Sequence, residues 1–228
     1  VCSDIARYQV ESTAEVTQGA GAITLLVEQE ADLLELDIEH QGYSSRDVDD
    51  FFRPLGSVTA QVKGRYSINC FEEALLEAFA DHARRRKKTP KEILLETDYF
   101  VLHTPFKNMP ITAMRYLLEN YLEYNEDQAD KFIEERGLLA AVEPASCVGN
   151  LYSGAMYLSL AALLSDRYNQ FGKDIVGKKV ILASYGSGNI MIVMAGTIAP
   201  AAPGVIETWD FEDVLKNSTP VEINDYTA

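Results

Sequence analysis

The stretch Tyr99-Phe100-Val101-Leu102-His103-Thr104-Pro105-Phe106-Lys107-Asn108-Met109 decides how this sequence is read. Its first four residues are apolar without a break, which predicts a strand buried on both faces. Pro105 has no N–H to give a ladder and stops it. His103 then falls at the carboxyl end of a strand, where open α/β sheets gather their ligands. A single histidine beside an apolar strand is more often a core residue with one hydrogen bond than a reacting group. A second segment shifts that balance. Val148-Gly149-Asn150-Leu151-Tyr152-Ser153-Gly154 sets an amide side chain beside two glycines, just ahead of a long apolar run. A His and an Asn, each at the mouth of an element, can together donate hydrogen bonds to one developing oxyanion.

Working upstream, Ser67 reads as the start of a helix in which Phe71, Leu75, Phe79 and Ala83 share one face at spacing four. Residues 43–64 read as irregular, punctuated by Pro54, Gly56 and Gly64. Their acids Asp47, Asp49 and Asp50 suit a solvated turn better than a metal set. Residues 33–38 alternate apolar and acidic, as a half-exposed strand would. Residues 23–27 are a short apolar run suited to a buried strand, fed by Gly19-Ala20-Gly21-Ala22. No lysine and no helix start follow those glycines, so they do not make a phosphate cradle. Residues 1–3 read as the end of a strand and 4–8 as a loop. A chain that opens in this way, without an initiator methionine, suggests that something precedes it.

Downstream, Pro90 opens a short helical turn. A helix over 112–124 points Met114, Leu117, Leu118 and Tyr121 inward, and a charged helix spans 126–136. Residues 152–164 are apolar nearly all round and predict a buried helix. Strands follow at 180–183 and 190–194, joined by a loop over 184–188, with a Pro/Ala loop at 199–204. No repeat of short period is present.

The chain has 228 residues, and its 47% hydrophobic content is enough for a sizeable core. It contains no apolar run of membrane-spanning length and no basic-then-apolar leader, so a soluble, cytoplasmic protein is expected. With 20 basic against 35 acidic residues the formal charge is −15, which argues against nucleic acid as a partner. The one basic cluster, Arg84-Arg85-Arg86-Lys87-Lys88, closes a predicted helix, where cations suit the dipole. Cys2, Cys70 and Cys147 are odd in number and match no metal spacing. They are read as buried, inert thiols.

Six segments, SDIARY, TQGAGA, DDFFRP, HTPF, GNLYSGAMYLSL and SYGSG, resemble the 3-hydroxy-3-methylglutaryl-CoA synthases in order and approximate spacing, from Val1 to about Tyr226. The resemblance is to the carboxyl-terminal two-thirds of that family. It implies an α/β fold of the layered αβαβα thiolase-like kind, with residues 1–65 ending the first half and crossing over, and 66–228 forming the second half. It also implies acyl transfer from acetyl-CoA to a cysteine, with a glutamate as acid/base, then condensation with acetoacetyl-CoA in a mevalonate-type pathway. No metal or redox cofactor is implied. His103 and Asn150 match the family's catalytic histidine and asparagine. Asp4, Tyr8, Thr17, Gly19, Asp50, Pro105, Phe106, Tyr152, Ser184 and Tyr185 are carried over as substrate-binding.

The departures from the family matter equally. Its nucleophilic cysteine and glutamate lie upstream of the segment matched by Val1, and none of the three cysteines stands in for the nucleophile. An amino-terminal partner, as a separate subunit or fragment, is therefore expected, in a dimer or heteromer. The lysine expected after HTPF-x is Asn108, and a second basic position is filled by Pro110 to Thr112. Those lysines grip CoA in the family, so an acyl-carrier-protein-bound β-keto chain is the alternative acceptor. A third reading is a non-catalytic partner subunit.

Overall fold

A computed structural model of the chain describes residues 1–216, 219, 221 and 222. The reach of the family resemblance to Tyr226 lies outside the described residues. The main sheet has four strands in the order β3-β8-β7-β6, from β3 (Leu34–Ser45), β6 (Tyr99–Leu102), β7 (Lys179–Gly186) and β8 (Ile190–Ile198). β6 runs parallel to β7, pairing Tyr99 with Val180 and Leu102 with Ala183, and the other pairs are antiparallel. Every residue of β6 is buried, as an unbroken apolar run requires.

Alternation along the strands sends their side chains to two faces. α1 (Gly64–Arg85) covers β3 and β8 on one face, burying Phe71, Leu75, Phe79 and Ala83. Gly42 makes this approach possible, because a Cβ there would overlap the Ala78 carbonyl oxygen and the His82 amide. α2 (Pro90–Glu96) starts with a capping box. Thr89 Oγ1 accepts from the Glu92 N–H at 3.2 Å, and Glu92 accepts from the Thr89 N–H at 2.7 Å. α3 (Asn108–Leu122) packs outside α1, with Met114, Leu117 and Leu118 buried. α4 (Glu126–Glu135) follows from an Asn125/Gln128 capping box and leads to α5 (Leu138–Val142) and the short α6 (Ala145–Val148). On the opposite sheet face, α5 and α7 (Ser153–Phe171) cover β6 and β7. α8 (Ala202–Ile206) and α9 (Phe211–Lys216) complete the described chain. No helix among the described residues is long and apolar enough to cross a membrane.

Ahead of this layered body, β1 (Cys2–Ala6) and β2 (Gly19–Ile23) form a separate antiparallel pair that packs on α7. β4 (Phe51–Phe52) and β5 (Gln61–Val62) form a small ribbon. Several expected boundaries move. The strand expected at 23–27 lies instead over the glycines, because Gly19 to Ile23 find the ladder of β1, while Leu26 and Val27 beyond it are 81% and 93% exposed. The loop expected at 4–8 is partly strand for the same reason. α1 begins at Gly64 rather than Ser67, with no side-chain cap, and Ser67 is buried within it. β3 extends through the irregular region to Ser45 because β8 is there to pair with it. That makes β3 an edge of the sheet built by residues beyond 65. The loop expected at 199–204 contains α8. The basic cluster is a paired helix end: Arg84 and Arg85 meet Asp81, Arg86 meets Asp37, and Lys88 meets Glu96.

The cover on the α7 side is incomplete. Leu36 of β3 and Ile190 of β8 lie on that face and are 47% and 53% exposed. The tight α1–β3 contact gives a direct stability test. Gly42→Ala is expected to cost about 1–3 kcal/mol through overpacking, read as a lower urea midpoint at unchanged slope in circular dichroism.

Candidate active site

A cavity of about 730 Å³ opens where the carboxyl ends of β6 and β7 meet the starts of α1 and α7 and the β1–β2 unit. Its wall includes Tyr8, Thr17, His103, Pro105, Phe106, Asn150, Tyr152, Ser184 and Tyr185. Three other expected residues stand elsewhere. Asp4 is exposed on β1, where its carboxylate accepts from the neighbouring Ile5 N–H. Gly19 packs behind the wall. Asp50 is fully buried behind Tyr185.

His103 extends β6 by one bond, donating its N–H to the Ala183 carbonyl at 2.8 Å. The next residue fixes the turn. Thr104 Oγ1 donates to the Leu102 carbonyl at 2.8 Å and accepts from Ser159 of α7 at 3.0 Å. The His103 ring lines the cavity 6.4 Å from that of Tyr185. Burial pushes its pKa down from 6.5 to about 4, because the apolar surroundings disfavour the charged form. At neutral pH it is therefore a neutral imidazole that can donate one hydrogen bond without bringing charge.

Asn150 is held at three points. Its N–H donates to the Thr17 carbonyl at 3.0 Å. Its Oδ1 accepts from the Tyr152 N–H at 2.8 Å, and its Nδ2 donates to the Tyr8 hydroxyl at 2.9 Å. One N–H of the amide remains free to donate to a ligand. The glycines explain how the loop sits so close. A Cβ on Gly19 would lie 2.5 Å from the Val148 carbonyl oxygen and 2.6 Å from the Asn150 nitrogen. Gly149 has φ +75°, and a Cβ there would overlap the Gln18 carbonyl. Phe51 locks the same corner, meeting the Tyr8 and Tyr152 rings edge-on at 6.0 Å each. Tyr152 itself holds φ +47°, a conformation a side-chain-bearing residue adopts only when its surroundings enforce it.

Asp50, within the triad of acids read as a solvated turn, is instead a structural acceptor. It takes hydrogen bonds from the Tyr185 hydroxyl at 2.7 Å and the Gly188 N–H at 2.9 Å. Asp49 pairs with Lys63. Among the described residues no group of three His, Cys, Asp or Glu could hold a metal ion. Ser67, Ile68, Met109, Ile190 and Ile192 also line the cavity and escaped the sequence reading, because a helix start or strand end shows its direction only once packed. The expectation of three buried thiols holds only for Cys70, whose pKa burial pushes up. Cys2 is half-buried, and Cys147 is exposed on α6, a helix of four residues with no buried side chain.

Two outcomes follow for the purified chain. Because folded His103 resists a proton that the unfolded chain accepts below pH 6.5, stability falls as pH drops from 6.5 toward 4. His103→Phe should remove roughly 3 kcal/mol of that acid sensitivity, measured as the difference between urea unfolding curves at pH 7 and pH 4. Gly149→Ala should displace the Asn150 loop, seen as loss of the Asn150 amide's protection from hydrogen exchange, while β6 and β7 stay protected.

No family model matches the chain. It is 27% identical over 263 residues to the hydroxymethylglutaryl-CoA synthase of Haloferax volcanii, covering 99% of this chain and 58% of that protein. It is 29% identical to the Enterococcus faecalis enzyme, over 100% of this chain and 56% of that one. Among solved structures it is similar to MvaS in complex with 3-hydroxy-3-methylglutaryl coenzyme A, with TM-score 0.88 and 31% identity over 99% of this chain and 57% of that chain. The HMG synthase of the curacin pathway, in complex with a holo donor-ACP, shares the fold at TM-score 0.88 and 22% identity, over 99% of this chain and 53% of that chain. The chain thus spans about half the length of the curated relatives it matches. In the order of its motifs, along nearly the whole chain and in its fold, it is similar to the hydroxymethylglutaryl-CoA synthases.

Proposed function

We propose that this chain supplies the histidine–asparagine part of a 3-hydroxy-3-methylglutaryl-CoA synthase site, in which acetyl-CoA is condensed with acetoacetyl-CoA. The cysteine nucleophile and the acid/base glutamate come from protein outside these 228 residues. The observation that carries this reading is that His103 and Asn150, 47 positions apart in sequence, line one cavity as neutral donors. In the condensation, the acetyl group on the partner cysteine loses a methyl proton to the glutamate. The resulting carbon attacks the acceptor's ketone carbon, and the ketone oxygen takes up the negative charge. His103 and the Asn150 amide donate to that oxygen, which then gains a proton. Water finally cleaves the thioester to free the product and the cysteine. A neutral histidine suits the task, since a buried cation would have to be desolvated first.

An amino-terminal partner is supported by the surface. Leu36 and Ile190 on the α7 side of the sheet are apolar and half-exposed, and both outer edges of the β1–β2 pair are unpaired among the described residues. A second reading, with a carrier-bound acceptor in place of acetoacetyl-CoA, is supported by the cavity wall, which includes no lysine or arginine. Lys107, next in sequence to the lining residue Phe106, is engaged by Glu143 at 2.5 Å. A nucleotide tail with several phosphates calls for more cations there than the single phosphodiester of a carrier's arm.

Native and denaturing mass spectrometry of the purified protein tests the proposal. A second polypeptide that gains one acetyl group on addition of acetyl-CoA is the expected result. A lone chain that never acetylates and yields no product with either acceptor refutes it. In the active assembly, His103→Ala and Asn150→Ala should each lower turnover by about 10²–10³-fold, the usual loss on removing an oxyanion donor. Unchanged turnover would leave the non-catalytic subunit as the better reading. The ratio of rates with CoA-linked and carrier-linked acceptors separates the two substrates.

A further inference from the structure

Tyr185, next to last in β7, lies at the cavity wall with its ring against Phe71 at 4.9 Å and its hydroxyl on Asp50. A phenol has one proton to give and two lone pairs to receive with. The proton is committed to Asp50, whose carboxylate is fully buried and also takes the Gly188 N–H. A lone pair receives Nδ2 of Asn189 at 3.3 Å. Asn189 is only 4% exposed and is itself held from both sides. Its Oδ1 accepts from the Arg46 N–H at 3.2 Å, and its backbone exchanges hydrogen bonds with Arg46 at 2.6 and 3.2 Å. The same Nδ2 reaches the Cys70 carbonyl at 3.5 Å. Asn189 was not among the residues singled out in the sequence, because it lies just past the SYGSG motif and nothing in its neighbours marks it as buried.

We infer that Asn189 is a positioning residue of the site: with Asp50 it clamps the Tyr185 hydroxyl from both sides, so that Tyr185 offers a ligand its ring and withholds its proton. The consequence is a selection among donors. Tyr185 shares the cavity wall with His103 and Asn150. The clamp takes its hydroxyl out of competition with those two neutral nitrogen donors. Burial and the Asp50 carboxylate both push the phenol's ionisation up, so it keeps its proton across the neutral range. Packing against Phe71 fixes the ring and with it the hydroxyl oxygen. The O–H proton alone remains free to turn about the C–O bond toward a ligand carbonyl, and the polar contacts of Asp50 and Asn189 fix its direction. The role of the clamp rests on the proposed function, whereas the clamp itself is tested without substrate.

The test needs no turnover. In the purified chain with ring-labelled tyrosine, the Tyr185 hydroxyl proton should be observable by NMR and coupled to Asp50 by proximity. Failure to observe a protected hydroxyl in the unaltered protein would overturn the clamp, whatever any variant does. Asn189→Leu keeps the volume and removes the donor. It should speed exchange of that proton by roughly five- to tenfold, the loss of one hydrogen bond, while backbone amides of β7 and β8 keep their protection. An unchanged hydroxyl exchange rate, or a uniform loss of protection along both strands, would overturn the inference and reduce Asn189 to packing. Asn189→Gln should also speed the exchange, because its longer side chain cannot meet Tyr185 and Arg46 in the same geometry.

Discussion

The close backbone contact between residues 17–19 and 148–150 is the constraint on which the site depends. Thr17 accepts the Asn150 N–H, and neither Gly19 nor Gly149 leaves room for a side chain. Through this contact the β1–β2 pair, which joins no further strand among the described residues, is fixed to the layered body that contains His103. The same contact orients Asn150, since the loop that carries it has no long helix or strand to stiffen it until α7 begins. A hydrogen bond between exposed loops is worth little, but one enclosed by close backbone packing holds its geometry, because water cannot replace either partner.

Electrostatics within the cavity follow from what is missing as much as from what is present. The chain as a whole carries a formal charge of −15, yet the cavity wall is apolar, with uncharged donors. Burial keeps His103 neutral and Tyr185 protonated. The one carboxylate close behind the wall, Asp50, is spent on the Tyr185 hydroxyl and a backbone N–H. In such surroundings a neutral N–H is worth more to a developing oxyanion than it would be in water, because no solvent competes for the charge. The surface charges, in contrast, are paired with one another around α1 and α2, where exposure makes each pair weak.

Several elements were legible because a single local rule decides them. β6 is an unbroken apolar run closed by a proline. The interior face of α1 follows from spacing four, and the burial of α7 from its apolar character all round. Where local rules conflict, the partner decided. Residues 23–27 have better strand composition than Gly19 to Ile23, but only the latter face β1. Ser67 is a better helix cap than Lys63, yet α1 starts three residues before it, since its first turn is packed at the cavity instead of solvated. Asp50 belongs to a run of acids that looks like a solvated turn, and it is the most deeply buried of them.

The sequence by itself determined the strand that ends at His103, the amide–glycine loop at Asn150, the helical faces that enclose the core and, through ordered motifs, the resemblance to a family. These depend on composition and spacing within one segment. Only the tertiary structure decided that the Asn150 amide is held by the Tyr8 hydroxyl and that Asp50 accepts from Tyr185. Those two hydrogen bonds join residues 142 and 135 positions apart in the chain. The direction of such a bond is set by packing, which no stretch of sequence contains on its own.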